Sequence, residues 1–235
     1  MRLKFNYTKN TSDVLINNQD FMNSYVHKCL GRNNEFHDTE NYYSISSLRG
    51  GKLNRENGML NFENGAYFIV SSLNQEFLNR FLIGVMNNQE LFSGMKFCCV
   101  DYIEENFRDG WNHFATLSPF IIKKHKDKKN YTFITIEDNN FREELKAYLI
   151  NKISKINQEL DLSDFDLKIQ KNSTNKVKKV MVKSVVNKAN QCHISIRCNK
   201  QVAELLYNFG IGQSTGSGFG TIYKTENHHL YNTQK

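Results

Sequence analysis

The sequence has very little proline and no long apolar run. Its 235 residues include a single proline, Pro119, against 13 glycines. It therefore has no proline-rich linker, and any two domains must lie close together. The most apolar runs, residues 97–100 and 120–122, are far shorter than the roughly 20 residues of a membrane helix. The first seven residues alternate charged and apolar types and contain no hydrophobic signal region. We therefore expect a soluble, cytoplasmic protein without membrane contact.

The cysteines do not occur in pairs. There are five of them, an odd number, and none forms a CxxC motif. Disulfide frameworks and structural zinc sites rely on paired spacing, so neither is expected and a reducing compartment is favoured. We expect no metal and no cofactor.

Acidic residues are missing from one long stretch. The chain has 31 Lys and Arg against 24 Asp and Glu, a net charge of +7, which a compositional bias alone can produce. Residues 168–200, however, contain no Asp or Glu, and residues 123–129 form a second basic cluster that only Asp127 interrupts. This concentration predicts a positive face that suits a nucleic-acid backbone. The basic residues of the longer stretch are Lys168, Lys171, Lys176, Lys178, Lys179, Lys183, Lys188, Arg197 and Lys200.

Hydrophobic periodicity predicts the same order of elements twice. In the first half, Asp20 is expected to cap a helix, and Glu63-Asn64-Gly65 is expected to join two strands into a hairpin. The predicted strands there are residues 2–7, 42–46, 59–62, 66–71 and 95–103, and the helices are 21–30 and 74–88. The predicted strands of the second half are residues 114–124, 131–136, 165–169, 177–186, 192–197 and 221–224, and the helices are 141–156 and 201–209.

This order predicts two tandem ferredoxin-like βαββαβ domains of the α+β class. The first is expected to span residues 1–112 and the second residues 113–224. A polar tail, residues 225–235, follows.

A glycine-rich loop, 210-GIGQSTGSGFGT-221, lies between the last helix and the last strand. Dinucleotide-binding loops have the opposite order, strand then glycines then helix, so that function is disfavoured. Alternating glycines leave backbone N–H groups open to approach by a phosphate. The alternative is a tight helix-to-strand connection.

The segment GIGQSTGSGFG resembles the C-terminal glycine-rich loop of the RAMP superfamily, and specifically of the CRISPR repeat-processing endoribonucleases (the Cas-six family). The segment 36-FHDTENYYSISSLRGG-51 is similar to the family's first-domain pattern. The segment 116-TLSPFIIKK-124 is similar to the start of its second domain, with Pro119 at the first residue of a strand. The resemblance covers roughly residues 1–224.

The resemblance implies metal-independent cleavage of CRISPR precursor RNA by attack of a 2′-hydroxyl. The products are a cyclic phosphate and a free 5′-hydroxyl. His37 aligns with the family's catalytic histidine and is the expected general base. Tyr25 is the expected assisting tyrosine, and His27 is a second candidate, although a helical histidine there is more often half-buried. Arg49 or Lys52 is expected to stabilise the transition state, because the family's lysine after the histidine is replaced by Asn41, Tyr42 and Tyr43.

The RNA contacts are expected on both basic clusters and on the glycine loop. Because the loop lacks Lys and Arg between its glycines, its contacts would come from backbone amides and hydroxyls. The expected RNA-binding residues are Arg49, Lys123, Lys124, Lys179, Lys183, Gly212, Gln213, Ser214, Ser217 and Gly218. The expected partner is CRISPR repeat RNA, precursor and processed, bound by a monomer or homodimer, with other CRISPR complex subunits as further partners.

Two alternatives to the endoribonuclease remain open. The chain could be a non-catalytic RNA-binding RAMP subunit, or it could be a 2H-type cyclic phosphoesterase that uses two H-x-[ST] motifs. Those motifs are His37-Asp38-Thr39 and His193-Ile194-Ser195. The second motif falls in a predicted strand, but the first does not, which disfavours the phosphoesterase.

Overall fold

Two four-stranded antiparallel sheets form the framework of the protein. The structure is a computed structural model and describes residues 1–31, 43–125, 127 and 130–226. The elements of the first half are β1 (Arg2–Tyr7), β2 (Val14–Leu15), α1 (Gln19–Leu30), β3 (Tyr43–Ile45), β4 (Lys52–Leu53), β5 (Met59–Asn61), β6 (Ala66–Ser72), α2 (Gln75–Asn87) and β7 (Phe97–Ile103). Those of the second half are β8 (Gly110–Thr116), β9 (Lys123–His125), β10 (Tyr131–Phe133), α3 (Phe141–Ile156), β11 (Asp166–Ile169), β12 (Lys176–Val182), β13 (Val185–Gln191), β14 (His193–Cys198), α4 (Lys200–Phe209) and β15 (Ile222–Lys224).

The two sheets have the same strand order. The first is β3-β6-β1-β7 and the second is β11-β14-β8-β15. If the sheet strands of each half are numbered one to four along the chain, their order across each sheet is second, third, first, fourth. In each half, one helix follows the first of these strands and one follows the third. This is the βαββαβ arrangement, and the predicted tandem ferredoxin-like α+β fold is confirmed. The predicted domain limits at residues 1–112, 113–224 and 225–235 stay a prediction.

Helices cover one face of each sheet and bury it. In the first half, the Phe5 ring stacks on Phe68 at a centroid distance of 5.4 Å and meets Phe81 of α2 edge-on at 5.3 Å. In the second half, Leu145 and Leu149 of α3 are fully buried in the core. Each helix therefore gains its stability from an apolar stripe pressed against the sheet.

The opposite faces of the two sheets are turned toward each other at the junction of the halves. Tyr67 and Ile69 of β6, Ile103 of β7 and Leu117 form one buried cluster there, and Tyr223 of β15 packs against it. The junction is thus partly apolar, and the cavities described below lie beside it.

The predicted hairpin across residues 63–65 is wrong. The turn itself forms, since the N–H of Gly65 donates to the carbonyl of Phe62 at 2.9 Å. However, β5 pairs with β2 and β4 in a small separate sheet, whereas β6 pairs with β1 and β3. All seven residues of β6 are buried, so this strand takes the centre of the main sheet, and the half-exposed β5 stays outside it.

The single strand predicted over residues 177–186 is a hairpin. β12 and β13 pair over seven residues and turn at Lys183 and Ser184, whose φ angles are 46° and 65°. Two consecutive positive φ angles are the geometry of the tight hairpin turn that Asn-Gly usually makes. The sequence carries no such signal at this position.

Two other local predictions are corrected. The N-cap of α1 is Asn18, and the carboxylate of Asp20 instead accepts the backbone N–H of Lys183, at 3.0 and 3.1 Å. Pro119 does not open a strand: β8 begins nine residues earlier at Gly110, and the Pro119 carbonyl accepts the N–H of Gly220 at 3.0 Å.

In the part of the chain that the structure describes, no helix is both long and apolar enough to cross a membrane.

Candidate nucleic-acid interface

A cleft of about 530 Å³ lies between the two halves. The first half contributes residues 47–51, which follow β3, and residues 16–19, which lead into the first residue of α1. The second half contributes β12 of the hairpin, together with Gly218 and Phe219 of the glycine loop. A second cavity of about 510 Å³ lies over the face of the second sheet that carries His193 and Tyr223. Arg49 lines both cavities.

Arg49 is held in place by backbone and side-chain hydrogen bonds. Its N–H donates to the carbonyl of Tyr67 at 2.8 Å, and its own carbonyl accepts from the N–H of Tyr67 at 3.0 Å. Its guanidinium donates to the carbonyl of Leu117 at 3.2 Å. Burial raises the pKa of Tyr67, and the charge of Arg49 and its hydrogen bond oppose that rise. The guanidinium is therefore fixed where the two cavities meet.

Two lysines of β12 bring further positive charge to the first cleft. Lys178 is half-buried and Lys179 is exposed. Burial lowers the pKa of Lys178, and the charges of Lys176 and Arg49 lower it further. A partly desolvated ammonium beside other cations is stabilised by an anion placed between them. The electrostatics of the cleft thus favour an anionic ligand.

The glycine loop forms the packed floor between the halves. Gly218 has φ +88°, and a Cβ there would lie 2.0 Å from Nε2 of the Gln19 side chain. A Cβ on Gly212 would lie 2.7 Å from the carbonyl oxygen of Ile121. The Gly212 carbonyl accepts the hydroxyl of Tyr148 at 2.9 Å. Gly212 is required because the backbone of Ile121 approaches it closely, and both Gly212 and Gly218 have positive φ angles, +76° and +88°, that favour glycine.

The polar side chains of the loop are also engaged in the fold. The amide of Gln213 accepts from the N–H of Lys123 at 3.1 Å and donates to its carbonyl at 3.3 Å. The hydroxyl of Thr215 donates to the carbonyl of Tyr43 at 2.9 Å. Ser214 is exposed and Ser217 is half-buried, so these two place hydroxyls at the surface of the loop.

The second half of the chain matches a known protein family. The sequence model of the family described as CRISPR associated protein Cas6, C-terminal, matches residues 103–223, just over half of the protein. The chain belongs to the Cas6 family. The matched region contains the whole second sheet except its last residue, together with α3, α4 and the glycine loop.

Solved structures share the fold over almost the whole chain. The product of a Cas6-related gene from Pyrococcus furiosus has a TM-score of 0.82 and 19% identity, with 97% of this chain and 99% of that chain covered. A RAMP protein binding different RNA substrates has a TM-score of 0.80 and 19% identity, covering 95% and 99%. A Cas6 product complex has a TM-score of 0.66 and 12% identity, covering 94% and 98%. Comparison with curated proteins gave no significant match.

The predicted catalytic residues of this Cas6 chain are not brought together by the described structure. His37 lies outside the described residues. Tyr25 is buried, its hydroxyl within 2.9 Å of the hydroxyl of Tyr7 and donating to the carbonyl of Asn88 at 2.8 Å. Burial raises its pKa far above the ordinary tyrosine value. This environment gives Tyr25 a packing role in the first core.

The other two catalytic candidates are on the surface. His27, which the sequence suggests is half-buried, is exposed on α1. Lys52 is exposed on β4, directly after Gly50 and Gly51 of the cleft lining. Of these two, only Lys52 adjoins residues of the cleft.

The basic residues predicted to bind RNA lie in three places. Arg49 and Lys179 line the first cleft. Lys123 and Lys124 lie instead on β9, where the Lys123 ammonium is 4.4 Å from the Tyr131 ring centroid and Lys124 pairs with Glu144. Lys183 occupies the exposed turn of the β12–β13 hairpin. Lys178, which the prediction did not single out, is the residue that the structure adds to the cleft.

Among the described residues, no three or more His, Cys, Asp and Glu side chains are clustered so that they could hold a metal ion. His193, the second histidine of the phosphoesterase alternative, lines the second cavity from β14.

Proposed function

We propose that the chain is an endoribonuclease that cleaves CRISPR precursor RNA within its repeats without a metal ion. The observation that carries the proposal is the positive cleft of Arg49, Lys178 and Lys179, located at the junction of the two halves of a Cas6-family chain. Two similar structures support RNA as the ligand: one is a RAMP protein binding different RNA substrates, and the other is a Cas6 product complex.

In the proposed reaction, the 2′-hydroxyl preceding the scissile phosphate is the nucleophile. His37 accepts its proton as the 2′-oxygen bonds to phosphorus, and the 5′-oxygen leaves and takes up a proton. The products are a 2′,3′-cyclic phosphate and a 5′-hydroxyl. A cation beside the phosphate stabilises the charge that develops in the transition state. Arg49 and Lys52 are the proposed sources, and Tyr25 is omitted because it is buried.

The test is incubation of the purified chain with repeat RNA in EDTA. We expect cleavage that stops when the sugar at the attack position is 2′-deoxy. His37→Ala is expected to slow cleavage by about 10²-fold or more. Asn79→Ala, which shortens an exposed polar side chain on α2 outside both basic clusters and the cleft lining, serves as the control and should cleave normally. Normal cleavage by His37→Ala would remove His37 from the mechanism.

A second candidate is an RNA-binding Cas6 relative without catalysis. It is favoured by one observation, the Asn41, Tyr42 and Tyr43 that stand where the family carries a lysine. Tight repeat binding with no cyclic-phosphate product over hours would support this candidate against the nuclease.

A further inference from the structure

The only tryptophan of the chain, Trp111, lies at one end of the second sheet, on the face opposite the helices. Along β8 and β14 the side chains alternate, and Phe114, Ile194 and Ile196 point into the core. Trp111 and Arg197 occupy the opposite face and are directly paired across the two strands. An indole in this position is partly exposed, so its ring can be reached from solution.

Two cations flank the indole. The Lys168 ammonium from β11 lies 4.6 Å from the Trp111 ring centroid, and the Arg197 guanidinium carbon lies 5.7 Å from it. Both side chains are exposed. An aromatic ring with adjacent cations combines the two groups that bind single-stranded nucleic acid, a stacking surface for a base and positive charge for its phosphates.

The carboxylate opposite Arg197 in the sheet has cationic partners of its own. Asp166 is bound by Arg142 at 2.6 Å and by Lys146 at 3.1 Å, both from α3. Arg197 instead donates from Nε to the backbone carbonyl of Asp164 at 3.2 Å. The negative charge of Asp166 is therefore balanced by α3, and Lys168 and Arg197 stay beside the indole.

The same face leads from the indole to the second cavity. Successive pairs along the two strands are Trp111 with Arg197, His113 with Ser195, and Ala115 with His193. Ala115 and His193 line the cavity. Four residues of strand separate Trp111 from Ala115, a distance of about 13 Å, which a few nucleotides can span.

The middle pair on this path is polar and rigid. The Ser195 hydroxyl lies 2.8 Å from Nδ1 of His113, and Gln170 donates to that hydroxyl at 2.6 Å.

We propose that Trp111, Lys168 and Arg197 form a subsite that stacks one unpaired RNA base and holds its phosphates. The inference rests on the proposed function, because it assumes that the ligand of the cavities is RNA. It goes beyond that function by assigning a single-stranded segment of the RNA to a place outside the first cleft. The base stacks on the indole, and the two cations shift to the phosphates on either side.

The experiment uses the intrinsic fluorescence of Trp111, excited where tyrosine does not absorb. The full chain is titrated with an unstructured single-stranded RNA of about ten nucleotides, and binding is followed in parallel by anisotropy of a label on the RNA. We expect the emission to be quenched along the same curve as the anisotropy. A duplex of the same length should leave the emission unchanged, because its bases are already stacked and paired.

Variants test the roles of the three residues. Trp111→Leu is expected to weaken single-strand binding about 5- to 100-fold, and Trp111→Phe, which keeps a ring and the fold, by less. Lys168→Gln and Arg197→Gln should each reduce the slope of log affinity against log salt by about 0.7. Tyr102→Leu, an exposed aromatic on β7 of the first sheet, is the matched control and should bind as the unaltered chain does.

The outcomes separate this proposal from the function on which it rests. RNA binding without quenching, together with unchanged affinity in Trp111→Leu, would overturn the subsite and leave the nuclease proposal standing. A Trp111→Leu chain that is less stable but binds equally well would show that the indole only packs. Binding of repeat RNA but not of the ten-nucleotide RNA by the unaltered chain would overturn the subsite alone, and absence of binding to both RNAs would overturn both proposals.

Discussion

At the scale of single residues, the alternating glycines of the glycine loop can allow close approach either by a bound phosphate or by the protein's own backbone. Alternating glycines predict close approach of a backbone, and the structure provides such an approach within the protein itself. The carbonyl of Gly220 accepts the N–H of Ile211 at 2.9 Å, and Gly220 has φ +71°. A Cβ at this position would lie 1.9 Å from the Ile211 carbonyl oxygen. The approaching backbone is therefore that of Ile211, and glycine is required for folding.

Gly220→Ala tests this interpretation. The substitution adds both the strain of a positive φ, about 1–2 kcal/mol, and a backbone overlap that must be relieved by movement of the loop. Gly58→Ala is the matched control, because Gly58 has φ +70° with nothing within 4 Å of a Cβ. We expect Gly220→Ala to lower the free energy of unfolding by at least about 2 kcal/mol more than Gly58→Ala, as measured by urea denaturation. Equal losses would mean that the loop accommodates a Cβ.

At the scale of elements, helices were easier to predict than strand pairs. α3 spans residues 141–156, as its periodicity predicts, because a helix is stabilised by neighbours three and four positions away. A strand's partner is set by distant residues. The pairing of β6 with β1, about 60 to 70 positions earlier in the chain, therefore could not be derived from the turn at Gly65.

The hairpin of β12 and β13 is an element that no local pattern indicated. Its turn is attached to the first half through Asp20, whose carboxylate accepts the N–H of Lys183. The same hairpin carries Lys178 and Lys179 into the cleft. Asp20 therefore positions the cleft lysines indirectly, by holding the end of the hairpin.

Asp20→Ala is expected to loosen the hairpin without unfolding the protein. The lost hydrogen bonds are exposed, so the free energy of unfolding should fall by only about 1 kcal/mol. Amide hydrogen exchange at residue 183 should accelerate clearly, and RNA affinity should fall with it. Asp13→Ala, which removes an exposed carboxylate of the first half, controls for net charge. Unchanged exchange at residue 183 would contradict the role of Asp20.

At the scale of the whole molecule, the charge pattern predicted only part of the candidate site. Lys179, which was predicted from the basic stretch 168–200, lines the cleft. Arg49 also lines it, but that residue was predicted from the resemblance of segment 36–51 to the family and not from the charge pattern. Lys124 is instead paired with Glu144 of α3, a contact that depends on how the helix packs. Net charge therefore indicated a polyanion, whereas tertiary structure decides which cations face it.

The two halves are joined through a buried arginine at the start of the chain. Arg2 is fully buried and donates to the Ser71 hydroxyl at 2.7 Å and the Ile222 carbonyl at 2.6 Å. It also donates to the carbonyl of Tyr207, and its guanidinium lies 3.4 Å from that ring's centroid. One side chain thus connects β1 and β6 with α4 and β15, so the geometry of the clefts depends on it.

Arg2→Met tests whether this junction couples the halves. The apolar side chain fills much of the same volume but leaves the Ile222 and Tyr207 carbonyls without their donor, which should lower the free energy of unfolding by about 3 kcal/mol or more. Because the lost bonds cross between the halves, calorimetry should show the single transition broadening or dividing into two. Arg55→Met, at an exposed position, should leave the transition unchanged. An equally sharp single transition in Arg2→Met would mean that the apolar cluster around Tyr67 and Leu117 couples the halves without Arg2.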